Sequence, residues 1–306
     1  MEVISNKFKI AITGMSGFVG LNLKDYLYND YEILPLSVRY IPNQEFTLDY
    51  NAIIHLAGKA HDLKKVSKPS EYYEANYELT KQLFDSFLNS ESETFIFMST
   101  VKAVADKTEH ILTEESIACP RTHYGIAKRQ AEEYILSKRL PAKKRVYILR
   151  PSMIHGEGNK GNLNILYQFV SKGFVWPLGA FHNQRSFLSI DNLCFVIKEL
   201  LNNKSIPAGI YHVADDKPLS TNEVIEILAQ TQNRKSNIWS IPTILINTIV
   251  KLGDLSHLPF NSERLEKLTE NYIVDNKKIT KAIGKKLPIS SVDGLIKTFK
   301  SFRKIK

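Results

Sequence analysis

Tyr124 and Lys128 are the residues whose types and spacing most clearly suggest chemistry in this 306-residue chain. Side chains four positions apart lie on the same face of an α-helix, so this phenol and this ammonium would project into the same space. A free tyrosine titrates near pH ~10, and a cation held close to it favours the phenolate. We therefore predict that Lys128 lowers the pKa of Tyr124 and makes it a usable proton donor or acceptor. A solvated helix face is the alternative interpretation of such a pair.

A glycine-rich segment upstream supports the chemical interpretation, because its pattern is typical of a dinucleotide-binding loop. It follows the apolar run 8–13 and precedes apolar residues at helical spacing, which indicates a strand, a turn and a helix. Glycines in that context let backbone N–H groups and the helix N-terminus approach a pyrophosphate closely. The candidate cofactor-binding residues here are Gly14, Ser16, Gly17, Phe18, Val19 and Gly20. A tight turn with close glycine packing is the alternative.

The end of the second predicted strand, over 32–38, bears on the choice of cofactor. An Asp or Glu there would accept a hydrogen bond from the adenosine ribose and select NAD. Ser37 and Arg39 stand at this place instead, and a hydroxyl with a guanidinium suits a 2′-phosphate. We therefore favour NADP(H) over NAD(H) as the cofactor. The alternative is that Arg39 is only an exposed loop cation.

Apolar strands alternate with helices along the first half of the chain, which predicts an α/β fold with a Rossmann-type, doubly wound parallel sheet. The connection between the second and third strands is too short for a helix and a further strand. Ligands of such sheets gather at the carboxyl ends of the strands, so polar motifs at those ends predict one shared site. The further residues that fall there are Leu56, Ala57, Gly58, Ser99, Thr100, Arg150 and Pro151.

The sequence changes after residue 153 to glycine-punctuated loops and then to a mostly helical, basic segment. We expect a dinucleotide-binding domain over 1–153, to which 186–214 returns, and a smaller, mostly helical substrate lobe over 154–306. Ser220 and Glu223 have the spacing of a helix-capping box. The apolar stretch 241–250 fits either a membrane-surface element or a helix packed within the lobe, and we favour the packed helix.

Composition limits the class of protein. With 43% apolar residues, the chain can bury a large core, and its only cysteines, Cys119 and Cys194, argue against a disulfide framework or a metal site. The N-terminal residues lack the apolar core of a signal peptide, and no apolar run is long enough for a membrane span, so we expect a soluble cytoplasmic protein. The net charge of +9 allows an anionic partner. Nucleic acid is not expected, because no lysine- and arginine-rich stripe with interleaved aromatics is present.

Five motifs in this order resemble the extended short-chain dehydrogenases/reductases, and more narrowly their nucleotide-sugar epimerase/dehydratase branch. They are Thr-Gly-x-x-Gly-Phe-x-Gly at 13–20, His-Leu-Ala-Gly at 55–58, Ser-Thr at 99–100, Tyr-x-x-x-Lys at 124–128 and Arg-Pro at 150–151. The segments 99–102 and 177–186 are similar to bacterial polysaccharide-pathway members that reduce or epimerise C4 of UDP-linked 2-acetamido sugars. The resemblance covers nearly the whole chain.

The resemblance implies roles for the residues around the tyrosine. Lys128 would also bind the nicotinamide ribose, Thr100 would hydrogen-bond the reacting sugar oxygen, and Asn76 would line the nicotinamide side. Ser99 would be a neighbouring hydroxyl. The candidate substrate-binding residues are Lys102, Asn162, Arg185 and Arg264.

For the UDP-sugar substrate, the resemblance implies that Arg185 holds the diphosphate, since an arginine fork suits it, and that Arg264 makes a second phosphate contact. An exposed loop cation is the alternative interpretation of Arg185. The resemblance also implies a homodimer formed through the helices near 70–89 and 122–138.

Two departures from the family pattern narrow the choice of reaction. Dehydratases of this branch carry Asp-Glu directly after the threonine, whereas Val101 and Lys102 stand here, so we discount dehydration. The missing acidic residue after the second strand weakens an NAD-retaining epimerase. The favoured activity is NADPH-dependent reduction of the C4 ketone of a UDP-4-keto-6-deoxy-2-acetamidohexose, of the quinovosamine or fucosamine type. The alternatives are an NAD-dependent UDP-glucose or UDP-N-acetylglucosamine 4-epimerase and a non-catalytic dinucleotide sensor, against which the Tyr-Lys pair counts.

Overall fold

A six-stranded parallel sheet organises the computed structural model, which describes residues 7–60, 68–159, 161–255 and 262–305. The strands of the chain are β1 (Lys9–Thr13), β2 (Glu32–Leu36), β3 (Ala52–His55), β4 (Thr94–Met98), β5 (Arg145–Pro151), β6 (Met153–His155), β7 (Phe187–Ser189) and β8 (Gly209–Val213). The sheet order is β2-β1-β3-β4-β5-β8, and β6 pairs with β7 in a separate two-stranded sheet. The predicted doubly wound parallel sheet is confirmed, with β2 at one edge.

Eleven α-helices surround these strands over the described ranges. They are α1 (Phe18–Leu27), α2 (Pro69–Tyr73), α3 (Leu79–Leu88), α4 (His123–Ser137), α5 (Asn162–Ser171), α6 (Ile190–Asn202), α7 (Thr221–Thr231), α8 (Thr243–Leu255), α9 (Ser262–Thr269), α10 (Lys277–Ile283) and α11 (Ser291–Ser301). A π-helical turn, Glu74–Glu78, joins α2 to α3, so the helix predicted over 70–89 is not a regular α-helix throughout. Within the described ranges, no helix combines the length and the apolar character needed to cross a bilayer.

The central strands are buried on both faces, because helices cover the sheet on each side. Successive side chains of a strand point to opposite faces. Ile10 and Ile12 of β1 accordingly pack in one core with α1 and α6, whereas Ala11 packs in another core with α3 and α4. Because these strands pair in parallel, the carboxyl ends of β1, β3, β4 and β5 lie along the same side of the sheet.

The segment between β2 and β3, residues 37–51, contains neither a helix nor a strand. This confirms the short connection expected from the sequence. β2 ends at Leu36, two residues earlier than predicted, so Ser37 and Arg39 both lie beyond the strand.

A third core unites α5, α7, α8 and α11 with Phe187 of β7. Residues of α6 pack with those of β1, and β8 pairs with β5, so the chain returns to the large sheet after its first excursion. These contacts support our division at residue 153 with a return over 186–214, which stays a proposal. The expected capping box of Ser220 and Glu223 is present at the start of α7.

The apolar stretch 241–250 forms most of α8, which packs on the lobe as predicted but by one side only. Ile246 and Val250 point into the third core and Ile241 packs against it, whereas Ile244, Leu245 and Ile249 are exposed. The reason is that neighbouring elements cover just one edge of the helix. Sequence hydrophobicity alone does not distinguish this arrangement from a buried helix.

Candidate active site

The glycine loop has the geometry that close approach of a pyrophosphate requires. Gly14 adopts φ +65°, and a Cβ there would lie 2.9 Å from the backbone nitrogen of Ala57. A Cβ on Gly20 would lie 2.5 Å from the Cα of Met15, so α1 is pressed onto the loop. Gly17 is the N-cap of α1 and provides no side-chain cap, and the first turn carries no acidic residue. The backbone N–H groups of this turn therefore suit an anion, and the loop fits a dinucleotide.

The other predicted residues of the loop occupy its surface and the start of α1. Ser16 is exposed, while Phe18 and Val19 are partly buried. The ring of Phe18 lies near the 156–158 turn, 3.8 Å from where a Cβ on Gly158 would be. The glycine loop thus meets the turn that begins the second region of the chain.

Thr13, the last residue of β1, fixes the loop against the end of β3. Its Oγ1 accepts hydrogen bonds from the backbone N–H groups of Leu56 and Ala57, both at 3.0 Å. The same hydroxyl lies 2.8 Å from Nδ1 of His55, whose Nε2 lies 3.0 Å from the hydroxyl of Thr80. Burial lowers the pKa of His55 to about 3, so the imidazole is neutral at pH 7. His55 therefore joins β1, β3 and α3 as an uncharged hydrogen-bonding group.

Asn76 is fully buried beneath the turn that follows Ala57. Its Nδ2 donates to the carbonyls of Lys59 and Tyr72, both at 3.0 Å, and its Oδ1 accepts from the N–H of Lys59 at 3.1 Å. A Cβ on Gly58 would lie 2.5 Å from this Oδ1, so the turn requires glycine here. The π-helical turn carries Asn76 into this position, and such turns are frequent at functional sites. Asn76 thus acts first as a support for the Gly58 turn.

Thr100 and Tyr124 are brought together at the carboxyl end of β4. The Tyr124 side chain is partly exposed and forms a hydrogen bond with Thr100. Thr122 caps α4 by accepting the N–H of Gly125 at 3.2 Å, which places Tyr124 in the first turn. A Cβ on Gly125 would lie 2.5 Å from the carbonyl oxygen of Lys102, so α4 begins in direct contact with the loop after β4.

Lys128 is buried one turn further along α4. Its Nζ donates to the carbonyl of Met98 at 2.8 Å and lies 4.6 Å from the ring centroid of Phe97. The same nitrogen would be 3.2 Å from a Cβ on Gly58. Burial lowers the pKa of Lys128 to about 7, and the carboxylate of Glu132 opposes this change. The cation therefore sits among the ends of β3 and β4, with a charge that titrates near neutral pH.

The predicted effect of Lys128 on Tyr124 is wrong in this structure. Burial raises the pKa of Tyr124 to about 12, and the hydrogen bond with Thr100 opposes the rise only in part. The physical reason is that the loss of hydration destabilises the phenolate more than its hydrogen bond with Thr100 stabilises it. The Lys128 ammonium faces a backbone carbonyl instead of the phenol. Tyr124 is thus a protonated phenol at neutral pH and a weaker acid than a free tyrosine.

A buried ion pair below the site was not anticipated from the sequence. Arg150 binds both carboxylate oxygens of Glu132, with Nε–Oε1 and Nη2–Oε2 distances of 2.9 and 2.6 Å. The Ser99 hydroxyl donates to the same carboxylate. Glu132 is four residues after Lys128 on α4, and Arg150 stands in a buried strand. A carboxylate at this helical spacing and an arginine within an apolar strand were the available signals, because buried charges need partners.

Two of the predicted substrate residues lie near Tyr272. The Nζ of Lys102 lies 4.6 Å from the ring centroid of Tyr272 and donates to the carbonyl of Asp106. The guanidinium of Arg185 donates to the carbonyl of Lys267 at 2.5 Å and pairs with Glu270 at 3.4 Å, and its backbone bridges to Tyr272. Burial lowers the pKa of Lys102, while the carboxylates of Glu270 and Asp106 oppose the change.

The remaining predicted residues are more dispersed. Asn162 is exposed at the first position of α5, Ser37 and Arg39 are exposed beyond β2, and Pro151 is buried at the end of β5. The side chain of Arg264 lies outside the described part of the structure. A separate cleft of about 750 Å³ between residues 40–48 and α3 is lined by none of the predicted catalytic or cofactor-binding residues.

Comparison with known proteins places this site in a family. A sequence model described as the NAD dependent epimerase/dehydratase family matches residues 10–214, which is more than half of the chain. The chain belongs to this family. The matched region of this family member contains the glycine loop, Thr100, Tyr124 and Lys128.

Relatives of this family member include both epimerases and reductases. A UDP-glucose 4-epimerase from Vibrio cholerae is 29% identical over 96% of this chain and 95% of its own length. A UDP-2-acetamido-2,6-beta-L-arabino-hexul-4-ose reductase from Pseudomonas aeruginosa is 24% identical over 75% of this chain and 59% of its own length. The solved structure of RMD from Pseudomonas aeruginosa complexed with NADPH shares the fold, with a TM-score of 0.72 and 20% identity over 96% of this chain and 99% of that one.

Replacing Glu132 by Gln tests the ion pair. The substitution keeps the shape of the side chain but leaves Arg150 buried without a counter-charge, so the free energy of unfolding should fall by ~3–5 kcal/mol. Glu133→Gln is the matched control, since Glu133 is exposed and pairs at the surface with Arg129. It should change stability by less than ~1 kcal/mol. Urea unfolding measures both variants, and equal effects would contradict the assignment.

Replacing Gly14 by Ala tests the loop. The expected result is dinucleotide binding weakened by roughly tenfold or more, because the new Cβ meets the backbone of Ala57 and alters the cradle. Gly173→Ala is the control, since Gly173 also has a positive φ, of +75°, but a Cβ there meets nothing within 4 Å. Both variants should lose ~1–2 kcal/mol of stability from backbone strain. Thermal-shift titrations with NADPH and NADH should then show a binding defect for Gly14→Ala alone.

Proposed function

We propose that this protein reduces the C4 ketone of a UDP-4-keto-6-deoxy-2-acetamidohexose, of the quinovosamine or fucosamine type, in surface-polysaccharide biosynthesis. The observation that carries the proposal is the place of Tyr124. Its phenol lies next to Thr100, at the carboxyl end of the sheet and beside a loop that fits a dinucleotide. A proton donor at this place is what ketone reduction needs.

The residues of the chain account for the proton half of the reaction. Reduction of a ketone to a secondary alcohol adds one hydride to carbon and one proton to oxygen. Bound NADPH would supply the hydride. The Tyr124 hydroxyl would deliver the proton to the carbonyl oxygen, and the Thr100 hydroxyl beside it would hold that oxygen by a hydrogen bond. The Thr100 hydroxyl, whose hydrogen bond already favours the phenolate, then stabilises the charge that is left, and solvent reprotonates the phenolate through the partly exposed part of the side chain.

The cofactor choice rests on the residues beyond β2. The segment 37–39 contains a serine and an arginine and no carboxylate, and both polar side chains are exposed. A guanidinium with a hydroxyl suits the 2′-phosphate of NADPH, whereas a carboxylate would repel it. The NADPH complex of the structurally similar RMD shows that this fold accommodates the phosphorylated cofactor.

Lys102 and Arg185 support a nucleoside-diphosphate substrate. Both side chains are partly buried, and a bound diphosphate would replace Glu270 as the partner of Arg185. Partly desolvated cations bind a diphosphate more strongly than fully exposed ones. Lys102 also occupies a place where the dehydratases of the branch carry a carboxylate. The Pseudomonas reductase acts on a UDP-linked 2-acetamido keto sugar, which is the class of substrate we assign.

An NAD-dependent UDP-glucose or UDP-N-acetylglucosamine 4-epimerase is the second candidate. The Vibrio relative, which matches nearly the whole chain, favours it. Both reactions use the same tyrosine, threonine and lysine, so these residues do not discriminate between them. The cofactor does, because an epimerase retains NAD for internal recycling whereas a reductase consumes exchangeable NADPH.

The proposal includes a homodimer formed through the helical region 70–89, which contains α2 and α3, and through α4. Its support is the family resemblance together with Leu136, an apolar residue of α4 that is exposed in the single chain. We also retain the cytoplasm as the proposed location.

Tyr124→Phe tests the proton donor. The variant keeps the ring and loses only the hydroxyl, so turnover should fall by about 10²–10⁴-fold while NADPH binding stays within a factor of about two. Tyr134→Phe is the control on the same helix, because its hydroxyl bonds to Asp85 at the surface. Turnover is followed by the loss of NADPH absorbance with the keto sugar as substrate. Near-normal turnover of Tyr124→Phe would show that Tyr124 is not the proton donor.

Arg39→Ala tests the cofactor. Loss of one charged contact to the 2′-phosphate should weaken NADPH about tenfold to hundredfold and leave NADH unchanged, as measured by calorimetric titration. Arg139→Ala, which removes another exposed arginine, should leave both cofactors unaffected. Purified protein that carries tightly held NAD and interconverts UDP-N-acetylglucosamine with UDP-N-acetylgalactosamine without added cofactor would establish the epimerase instead.

A further inference from the structure

The outer face of α8 is apolar and open to solvent. We define it by Ile244, Leu245, Ile249 and Leu252, which are 77, 55, 54 and 59% exposed. At the α-helical period these side chains cover an arc of about 140°. Ile246 and Val250, at 3 and 1% exposed, lie on the inner side and anchor the helix to the third core. More apolar side chains of α8 therefore face solvent than face the rest of the protein.

Two exposed aromatic residues lie on the segments that lead to this helix. Trp239 is 58% exposed and precedes α8 by a short turn. Its backbone N–H donates to the carbonyl of Trp176 at 2.8 Å, and Phe174, 54% exposed, lies just before that partner strand. Tryptophan is the residue most typical of a membrane–water interface, because it combines an apolar ring with a polar N–H.

The chain that leads into α8 and forms its outer face carries charges of one sign. Residues 227–253 contain Arg234, Lys235 and Lys251 and no aspartate or glutamate. All three cations are exposed. The next acidic residue, Asp254, is engaged by the backbone and side chain of Ser262 at 2.9 and 2.6 Å. An exposed apolar arc flanked by cations matches the chemistry of an anionic bilayer surface, where acyl chains receive the apolar groups and phosphates receive the cations.

We propose that the outer face of α8, with Trp239, docks on an anionic phospholipid membrane. The helix lies in the headgroup layer, with its four aliphatic side chains towards the acyl chains and Lys235 and Lys251 among the lipid phosphates. α8 is a 13-residue helix held to the lobe by its inner side, so it rests on the bilayer and does not cross it. The docking is independent of the reaction assigned to Tyr124.

Flotation with lipid vesicles tests the docking. The full chain should float with vesicles of mixed phosphatidylglycerol and phosphatidylcholine and stay behind with pure phosphatidylcholine, and added salt should weaken the binding. The double variant Leu245→Ser with Leu252→Ser should lower the partition coefficient by roughly tenfold or more. Lys235→Gln and Lys251→Gln should each lower it by about fivefold on the anionic vesicles.

The matched control is Ile111→Ser with Ile117→Ser, which removes two apolar residues that are 54 and 94% exposed elsewhere on the surface. It should bind vesicles as the unaltered chain does. Because all four serine sites are exposed, thermal unfolding should confirm that each variant is folded. The proposal is overturned if the unaltered chain ignores anionic vesicles, or if the α8 and control variants bind equally. It is also overturned if the α8 variant only abolishes self-association, which would make the outer face a protein interface.

Discussion

Two opposite charges, Glu132 on α4 and Arg150 at the end of β5, meet where water is excluded on every side. Neither charge is tolerable alone in that environment, so each fixes the position of the other. The helix that carries Tyr124 and Lys128 is thereby attached to the sheet at a defined height and rotation. Ser99, bonded to the same carboxylate, extends this attachment to β4. The placement of the tyrosine against Thr100 depends on this contact more than on any property of the tyrosine itself.

Burial also sets the pKa values of Tyr124 and Lys128, the two side chains that the Glu132–Arg150 ion pair positions. It disfavours the charged form of both partners, which raises the pKa of Tyr124 to about 12 and lowers that of Lys128 to about 7. The two shifts act in the same physical sense, since each keeps charge out of a low-dielectric region. At neutral pH the Tyr124 phenol is therefore uncharged, and the charge of Lys128 titrates close to that pH.

Local patterns in the sequence were sufficient for the parts of the fold that depend on neighbours in the chain. The alternation of apolar residues predicted the strands, and the glycines after β1 predicted the loop whose close approach to Ala57 the structure shows. Contacts between segments that are distant in the sequence could not be predicted from local patterns. The pairing of Glu132 with Arg150 and the inward turn of Asn76 depend on where the helices pack. The acidity of Tyr124 was predicted with the wrong sign, because helical spacing reports proximity to a cation and not the loss of solvent.

The short connection between β2 and β3 also has a consequence for the edge of the sheet. No further strand covers β2, so its outer side would offer free backbone groups to another chain. Pro35 lies within this strand, opposite Ile12 of β1, and proline has no amide hydrogen to donate. The ladder is therefore interrupted where an incoming strand would need it, which is how natural sheets discourage edge-to-edge aggregation. A short connection between β2 and β3 and a sheet edge that resists further strand pairing are in this way compatible in one chain.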